Sequence, residues 1–266
     1  MALMNDPAAA RVAIIIPACN EEACIAAVLE ELLASIDSEQ FVVAVGVNDS
    51  TDRTAEIARR YGVIVRETSA RGYGFGCSAA IDAVKHRVPD VGAYLFFAAD
   101  GASDPADISA LVAAHRAGHE MVLGARTTQR SNLGAMTVPH VVANVALGLW
   151  CGMLSGRWFT DLAPLRLIER RLFEAIAPQE MTFGWTIEAQ VGAAMLRARI
   201  CEVPARERRR IAGEQKVSGV TWRRTFAIGC GISAAGYRTR LRFSRKIARS
   251  AVEPARALVA QSPGQA

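Results

Sequence analysis

Ala13-Ile14-Ile15-Ile16-Pro17-Ala18-Cys19-Asn20-Glu21-Glu22 (13–22) places an apolar run directly before a polar turn. A short apolar run closed by proline reads as a buried strand of a parallel sheet. Such a strand is covered on both faces and shows no polar alternation. Ile25, Val28, Leu29, Leu32 and Leu33 follow at the spacing of an amphipathic helix. Asn20 is placed to cap that helix, and Glu21 and Glu22 suit its positive N-terminal end. Strand, polar turn and helix together form the opening unit of an α/β sheet.

The alternation continues along the chain. Residues 41–47, 63–65, 93–98 and 121–124 read as further strands. Ser50-Thr51-Asp52 opens a helix through Tyr61, and Asp52 caps or orients it. Gly72, Gly74 and Gly76 form a flexible loop before an alanine-rich helix that ends near His86, and Pro105 begins another. The expected fold is a mainly parallel central sheet with helices on both faces. Ligands bind such sheets at the carboxyl ends of the strands, where the turns 17–22, 47–52 and 100–105 fall. Beyond Gly124 helices are expected over 134–154, 169–175 and 185–197. A strand-like run, 200–203, precedes a strongly basic loop. The last dozen residues read as disordered.

A chain of 266 residues with 51% hydrophobic composition is long enough for one large α/β domain. Its 21% charged residues and mean hydropathy of +0.17 exclude a disordered chain. Between Trp222 and Ala266 there are nine Lys or Arg and one acidic residue, a local charge of +8. Within the total of +5, the first 221 residues therefore carry −3. A body over 1–222 and a basic helical tail over 223–266 are expected, with an anionic partner near the tail. The tail interleaves arginines with Leu241, Phe243 and Ile247, which suits an anionic lipid surface or a helix packed on the domain. The longest apolar stretch, 141–155, contains Asn144 and is too short to span a bilayer, which takes about 18–20 residues. The N-terminus has no basic region ahead of its apolar run, so no signal peptide is read there. Six cysteines without a CxxC pair read as mostly buried thiols of a reducing, cytoplasmic compartment. No nucleic-acid-binding motif is present, which leaves a lipid or phosphorylated partner for the basic tail.

Six stretches, in order, resemble the family 2 glycosyltransferases. The resemblance is strongest to the branch of dolichyl-phosphate mannose synthase and other polyprenyl-phosphate sugar transferases. They are 16–22, Asn48-Asp49-Ser50-Thr51-Asp52-Arg53-Thr54, Asp100-Gly101-Ala102-Ser103-Asp104-Pro105, Thr160-Asp161-Leu162-Ala163-Pro164-Leu165-Arg166, Phe183-Gly184-Trp185-Thr186-Ile187-Glu188, and 209–219. The resemblance covers roughly residues 12–222 and implies a GT-A-type fold. It further implies an inverting transfer of a hexosyl group from a GDP- or UDP-linked sugar to a lipid-linked acceptor, a polyprenyl phosphate, at the inner membrane face. A different lipid or small acceptor, or a nucleotide-sugar-binding protein that has lost catalysis, are the alternatives.

On the same resemblance Pro17, Asn20, Glu22, Asn48, Asp49, Gly72 and Asp100 contact the donor. Where the family carries an Asp-x-Asp pair holding Mg²⁺ or Mn²⁺ against the donor phosphates, this chain has Ala98-Ala99-Asp100, so Asp100 is the remaining metal ligand. Val47 and Asn48 stand at the usual Asp-Asp positions of the second stretch. Asp161 is the general base, or orients an acceptor that is already a phosphate. Its other reading is a cap for a helix around Leu165. Arg166, Arg210 and Lys216 are the phosphate-binding cations, Arg166 pairing alternatively with Asp161. Glu188 joins Asp161 as a catalytic residue, and Trp185 either stacks on substrate or packs in the core. Arg206 and Arg208 read as a solvated basic face.

Overall fold

The computed structural model describes residues 10–136, 138–212 and 222–260. Among the described residues seven strands form one sheet: β1 (Arg11–Ala18), β2 (Phe41–Asn48), β3 (Ile64–Thr68), β4 (Val91–Phe96), β5 (Met121–Ala125), β6 (Arg166–Glu169) and β7 (Ile200–Pro204). Their order across the sheet is β3-β2-β1-β4-β6-β5-β7. All neighbours are parallel except β6, which runs antiparallel to both β4 and β5. This mixed, mostly parallel α/β sheet with helices on both faces is the GT-A-type architecture.

β1 shows why the apolar runs lack alternation. Val12, Ile14 and Ile16 face one core layer, while Ala13 and Ile15 face the other. The first layer is completed by α1 (Ile25–Ser35), α2 (Thr54–Arg59) and α4 (Ile108–Arg116). The second is completed by α3 (Tyr73–Arg87), α5 (Val138–Ser155), α6 (Arg170–Ile176), α7 (Trp185–Met195) and α8 (Trp222–Ala260). With both faces buried, every side chain of a central strand gains from being apolar. Cys24, Cys77 and Cys151 are buried in these layers, Cys19 and Cys201 partly so, and Cys230 is exposed. Burial pushes the Cys77 and Cys151 thiols up to about 12.

Several local expectations change. Gly74 and Gly76 lie inside α3 rather than in a flexible loop, and only Gly72, at φ 148°, precedes it. The absent side chains let α3 sit directly on β2: a Cβ on Gly46 would overlap the Gly76 carbonyl oxygen. Gly46→Ala should therefore lower stability by about 1–3 kcal/mol or more, because the obstacle is backbone and cannot swing aside. Denaturant unfolding checks this through a lower midpoint at unchanged slope. Asn20 does not cap α1. Its backbone is left-handed at φ 53°, and the helix begins five residues later, at Ile25 behind Cys24, with no side-chain cap. The segment around Leu165 is not helical but leads into β6, so Asp161 caps no helix there. The tail helix continues to Ala260, into the stretch expected to be disordered. It packs on α5 and α7, burying Ile232, Ala235 and Phe243, and Trp150 Nε1 on α5 donates to the Ser233 carbonyl at 3.1 Å.

Candidate active site

The turns after β1 and β2 meet at the carboxyl edge of the sheet and are bonded to each other. Thr51 N donates to Asn20 Oδ1 at 2.8 Å, and Glu22 N to Asp52 Oδ2 at 3.0 Å. Arg53 N donates to Glu22 Oε2 at 3.1 Å, and Glu21 N to Thr54 Oγ1 at 2.8 Å. Asp52 Oδ1 also accepts from Thr54 N and Thr54 Oγ1. It thus orients the start of α2 while tying down the first turn. Asn48 is buried at the end of β2, Asp49 pairs with Arg71 at 3.6 Å, and Pro17 is half-buried beside Gly76. Gly72 packs on the Met181 carbonyl just ahead of α7. The expected donor residues Pro17, Asn20, Glu22, Asn48 and Asp49 thus gather in one region. Asn20 and Glu22 spend side-chain oxygens on building it.

Asp100 follows β4 at the same edge. Its Oδ1 accepts from Ala102 N at 3.0 Å, and its Oδ2 receives Arg210 Nη1 at 3.2 Å. The other terminal nitrogen of Arg210 donates to Glu21, and its Nε donates to the Ala212 carbonyl. Arg210 is held in place by backbone pairing: Arg208 N bonds Ala102 O, Ile211 N bonds Asp100 O, and Ser103 bridges Glu207. These residues fit a divalent ion poorly. Such an ion needs several unencumbered oxygens, and here Ala98 and Ala99 offer no side-chain oxygen while Asp100 is engaged by a guanidinium. Among the described residues no group of three or more His, Cys, Asp or Glu is placed to hold a metal.

Asp161, fully buried, stands in a second cluster. It binds Arg126 in a fork: Nε to Oδ2 at 2.8 Å and Nη2 to Oδ1 at 2.9 Å, with Arg126 N also on Oδ2 at 3.0 Å. The same guanidinium reaches Glu207 Oε1 at 3.2 Å and Asn144 Oδ1 on α5 at 3.3 Å. Burial opposes the Arg126 charge. The hydrogen bonds and attraction of Asp161 and Glu207 outweigh it and hold the group above its ordinary range. Burial also raises the Glu207 carboxyl, partly offset by Arg126. Sequence reasoning missed Arg126 and Glu207. Arg126 was detectable as the cation at the carboxyl end of a predicted strand; Glu207 was hidden among arginines. The segment 207–210 joins both clusters, since Glu207 touches Arg126 and Arg210 touches Asp100.

The remaining candidates lie elsewhere. Arg166 is buried at the start of β6, its Cζ 5.2 Å from the Phe96 ring centroid. It donates to Thr186 Oγ1 at 3.1 Å and Tyr73 OH at 3.5 Å, while its Nε and Nη1 have no hydrogen-bond partner among the described residues. It does not pair with Asp161. Trp185 is a core residue beside Phe96 and Phe173, with centroids 6.4 and 6.0 Å away. Glu188 is buried and accepts from Gln179 N and Glu180 N at 2.8 and 2.7 Å, with Arg242 of α8 at 2.7 Å. Arg206 and Arg208 are more than a solvated face: Arg206 pairs with Asp104 and Asp107, and Arg208 with Glu31. Lys216 lies outside the described residues.

Comparison with known proteins places this geometry. The model of "Glycosyl transferase family 2" matches residues 13–197. A dolichyl-phosphate hexose transferase of Haloferax volcanii is 31% identical over 208 residues, 77% of this chain and 86% of that protein. An uncharacterised glycosyltransferase of Mycobacterium tuberculosis is 29% identical over 211 residues, 78% of this chain and 90% of its own length. Among solved structures, glucosyl-3-phosphoglycerate synthase from M. tuberculosis with Mn²⁺, UDP and phosphoglyceric acid superposes with a TM-score of 0.63. It does so at 18% identity, over 88% of this chain and 79% of that one, and thus shares the fold. The same synthase has also been solved with Mg²⁺ and UDP, at a TM-score of 0.60. The family match spans both turns, Asp100, Arg126 and Asp161, and with it the chain belongs to glycosyl transferase family 2 and is a glycosyltransferase.

Proposed function

We propose that the protein transfers a hexosyl group from a nucleotide sugar to a lipid-linked acceptor, a polyprenyl phosphate, while docked on a membrane face. One observation carries this reading. Helix α5 points Asn144 into the Arg126–Asp161 cluster and exposes an apolar stripe of Val142, Val145, Leu149 and Met153, continued by Trp158. The stripe lies on the outer face of the helix whose inner face meets the polar cluster, and an exposed apolar helix face of this kind suits an acceptor with a phosphate head and a hydrocarbon tail. Among the described residues no helix is long and apolar enough to cross a membrane, so the contact is read as peripheral. The hexose-transferring relative supports the same acceptor class.

In this reading the turns around Pro17, Asn20, Glu22, Asn48, Asp49 and Gly72 seat the nucleotide, with Asp100 beneath its phosphates. Arg210 meets the pyrophosphate. Arg126, held by Asp161 and Glu207, faces the acceptor phosphate. That acceptor needs no deprotonation, so Asp161 acts by orienting Arg126 rather than as a base, and one displacement inverts the sugar carbon. Trp185, Glu188 and Arg166 act through the packing of α7 and β6 rather than on the substrate.

The test is release of nucleoside diphosphate from GDP-mannose, UDP-glucose or UDP-N-acetylglucosamine, with polyprenyl phosphate in anionic vesicles. Acceptor-dependent release from one donor is expected. The double substitution Leu149→Glu, Met153→Glu should raise the KM for the lipid acceptor by about tenfold or more, since each exposed side chain loses the roughly 1.5–3 kcal/mol available on burial in lipid. Turnover that ignores the lipid acceptor, or a KM untouched by those charges, would sink the reading.

A further inference from the structure

Arg210 sits where the donor pyrophosphate is read to lie, and its surroundings are unlike those of a mobile surface arginine. Two carboxylates, Glu21 and Asp100, grip its terminal nitrogens, and the Ala212 carbonyl takes its Nε. The three side chains are largely buried, with relative exposures of 12% for Arg210, 8% for Glu21 and 29% for Asp100. The backbone pairing of 207–211 with 100–103 fixes the height of Arg210 above Asp100. Among the described residues, three of the five N–H groups of the guanidinium are used in these contacts, which leaves two for an incoming ligand. Across the same edge, Ala98 and Ala99 supply no side-chain oxygen.

We infer that Arg210 is the resident cation of the donor site and stands in for a divalent metal: Glu21 and Asp100 orient it, and its free N–H groups bind the pyrophosphate of the nucleotide. This rests on the donor-site reading above. The chemistry is consistent. A metal ion on Asp100 would have to displace the guanidinium from Oδ2 and then sit beside its positive charge, with no second carboxylate at residue 98 to offset the repulsion. A guanidinium, by contrast, presents paired N–H groups that match phosphate oxygens without dehydrating an ion. The leaving nucleoside diphosphate would take up negative charge as the sugar bond breaks, and a fixed cation needs no reorganisation to meet it.

The experiment is calorimetric binding of UDP and GDP to the full chain, in EDTA and in Mg²⁺ or Mn²⁺. One of the two nucleotides is expected to bind with an affinity that changes less than about threefold on chelation, and Arg210→Ala is expected to weaken it at least about tenfold, the size of one or two charge-assisted hydrogen bonds. Ala98→Asp, which restores a second carboxylate without touching Arg210, should introduce a metal dependence of about tenfold or more. Nucleotide binding that disappears in EDTA and returns with Mn²⁺ in the unsubstituted protein would overturn the inference while leaving the donor site intact. Absence of nucleotide binding under every condition would overturn the donor-site reading, and this inference with it.

Discussion

Asp161→Ala is expected to abolish turnover and to lower the unfolding free energy by about 3–5 kcal/mol. Arg126 is the reason for both. Its guanidinium is buried with three acceptors around it, and Asp161 supplies the forked pair at 2.8 and 2.9 Å. Removing the carboxylate strands a cation that is costly to keep dry, with only Glu207 and Asn144 left to hold it. Glu207 is a weak substitute, because burial already raises its carboxyl. At roughly 2–4 °C per kcal/mol for a chain of this size, the loss should show as a large fall in melting temperature. Adding Arg126→Met and Glu207→Gln to an Asp161→Leu background removes the stranded charge and its remaining charged partner. It should recover much of the stability and none of the activity. That split separates the stability of the pair from its chemistry. An Asp161→Ala protein that melts like the original would show that Arg126 does not depend on it.

Glu188→Ala carries the second large expected effect, about 2–4 kcal/mol, and by a different route. One carboxylate oxygen accepts two backbone N–H groups of the 179–180 turn, and the other holds Arg242 of α8. Its loss leaves two part-buried backbone donors without this acceptor and loosens the tail helix from α7. Arg242→Ala should cost less, since Arg242 is partly exposed and Glu188 would keep both backbone partners. Glu188→Gln preserves an oxygen for the two N–H groups and should fold. If that variant is stable and turns over normally, Glu188 is a tie between α7, the 179–180 turn and α8. A stable but inactive Glu188→Gln would instead place the carboxylate against the sugar. Melting curves, and protease sensitivity of α8, read the first effect; kcat and KM read the second.

The strands were legible because burial on both faces forces continuous apolar runs, and six of the seven were located from that pattern. β6 escaped because Arg166-Leu167-Ile168-Glu169 is four residues long with charges at both ends. Nothing local marks it as a strand; it exists because β4 and β5 leave a slot between them. The glycines of α3 were misread for a related reason. Glycine signals a loop by its own backbone freedom, and only the nearness of Gly46 shows that here it serves a helix–sheet contact.

The candidate site divides along the same line. Pro17, Asn20, Glu22, Asn48, Asp49, Asp100 and Asp161 could be named from sequence because they end predicted strands or stand in motif stretches, and strand ends are where such sheets bind ligands. Their partners could not. Arg126 reaches Asp161 across 35 residues, Arg210 reaches Asp100 across 110 and Glu21 across 189. Such pairings depend on where the chain returns, not on spacing along it. Trp185 and Glu188 show the converse: the motif stretch left Trp185 open between stacking and core packing, and the fold surrounds it with Phe96 and Phe173; it suggested a sugar contact for Glu188, whose carboxylate the fold gives two backbone N–H groups. The amino-acid sequence by itself thus determined the class of fold and the family, because hydrophobic period and motif order are local properties. Which charges face one another, and so which of them remain available to a substrate, was decided only by the tertiary structure, because electrostatic pairing acts through space between segments far apart in the chain.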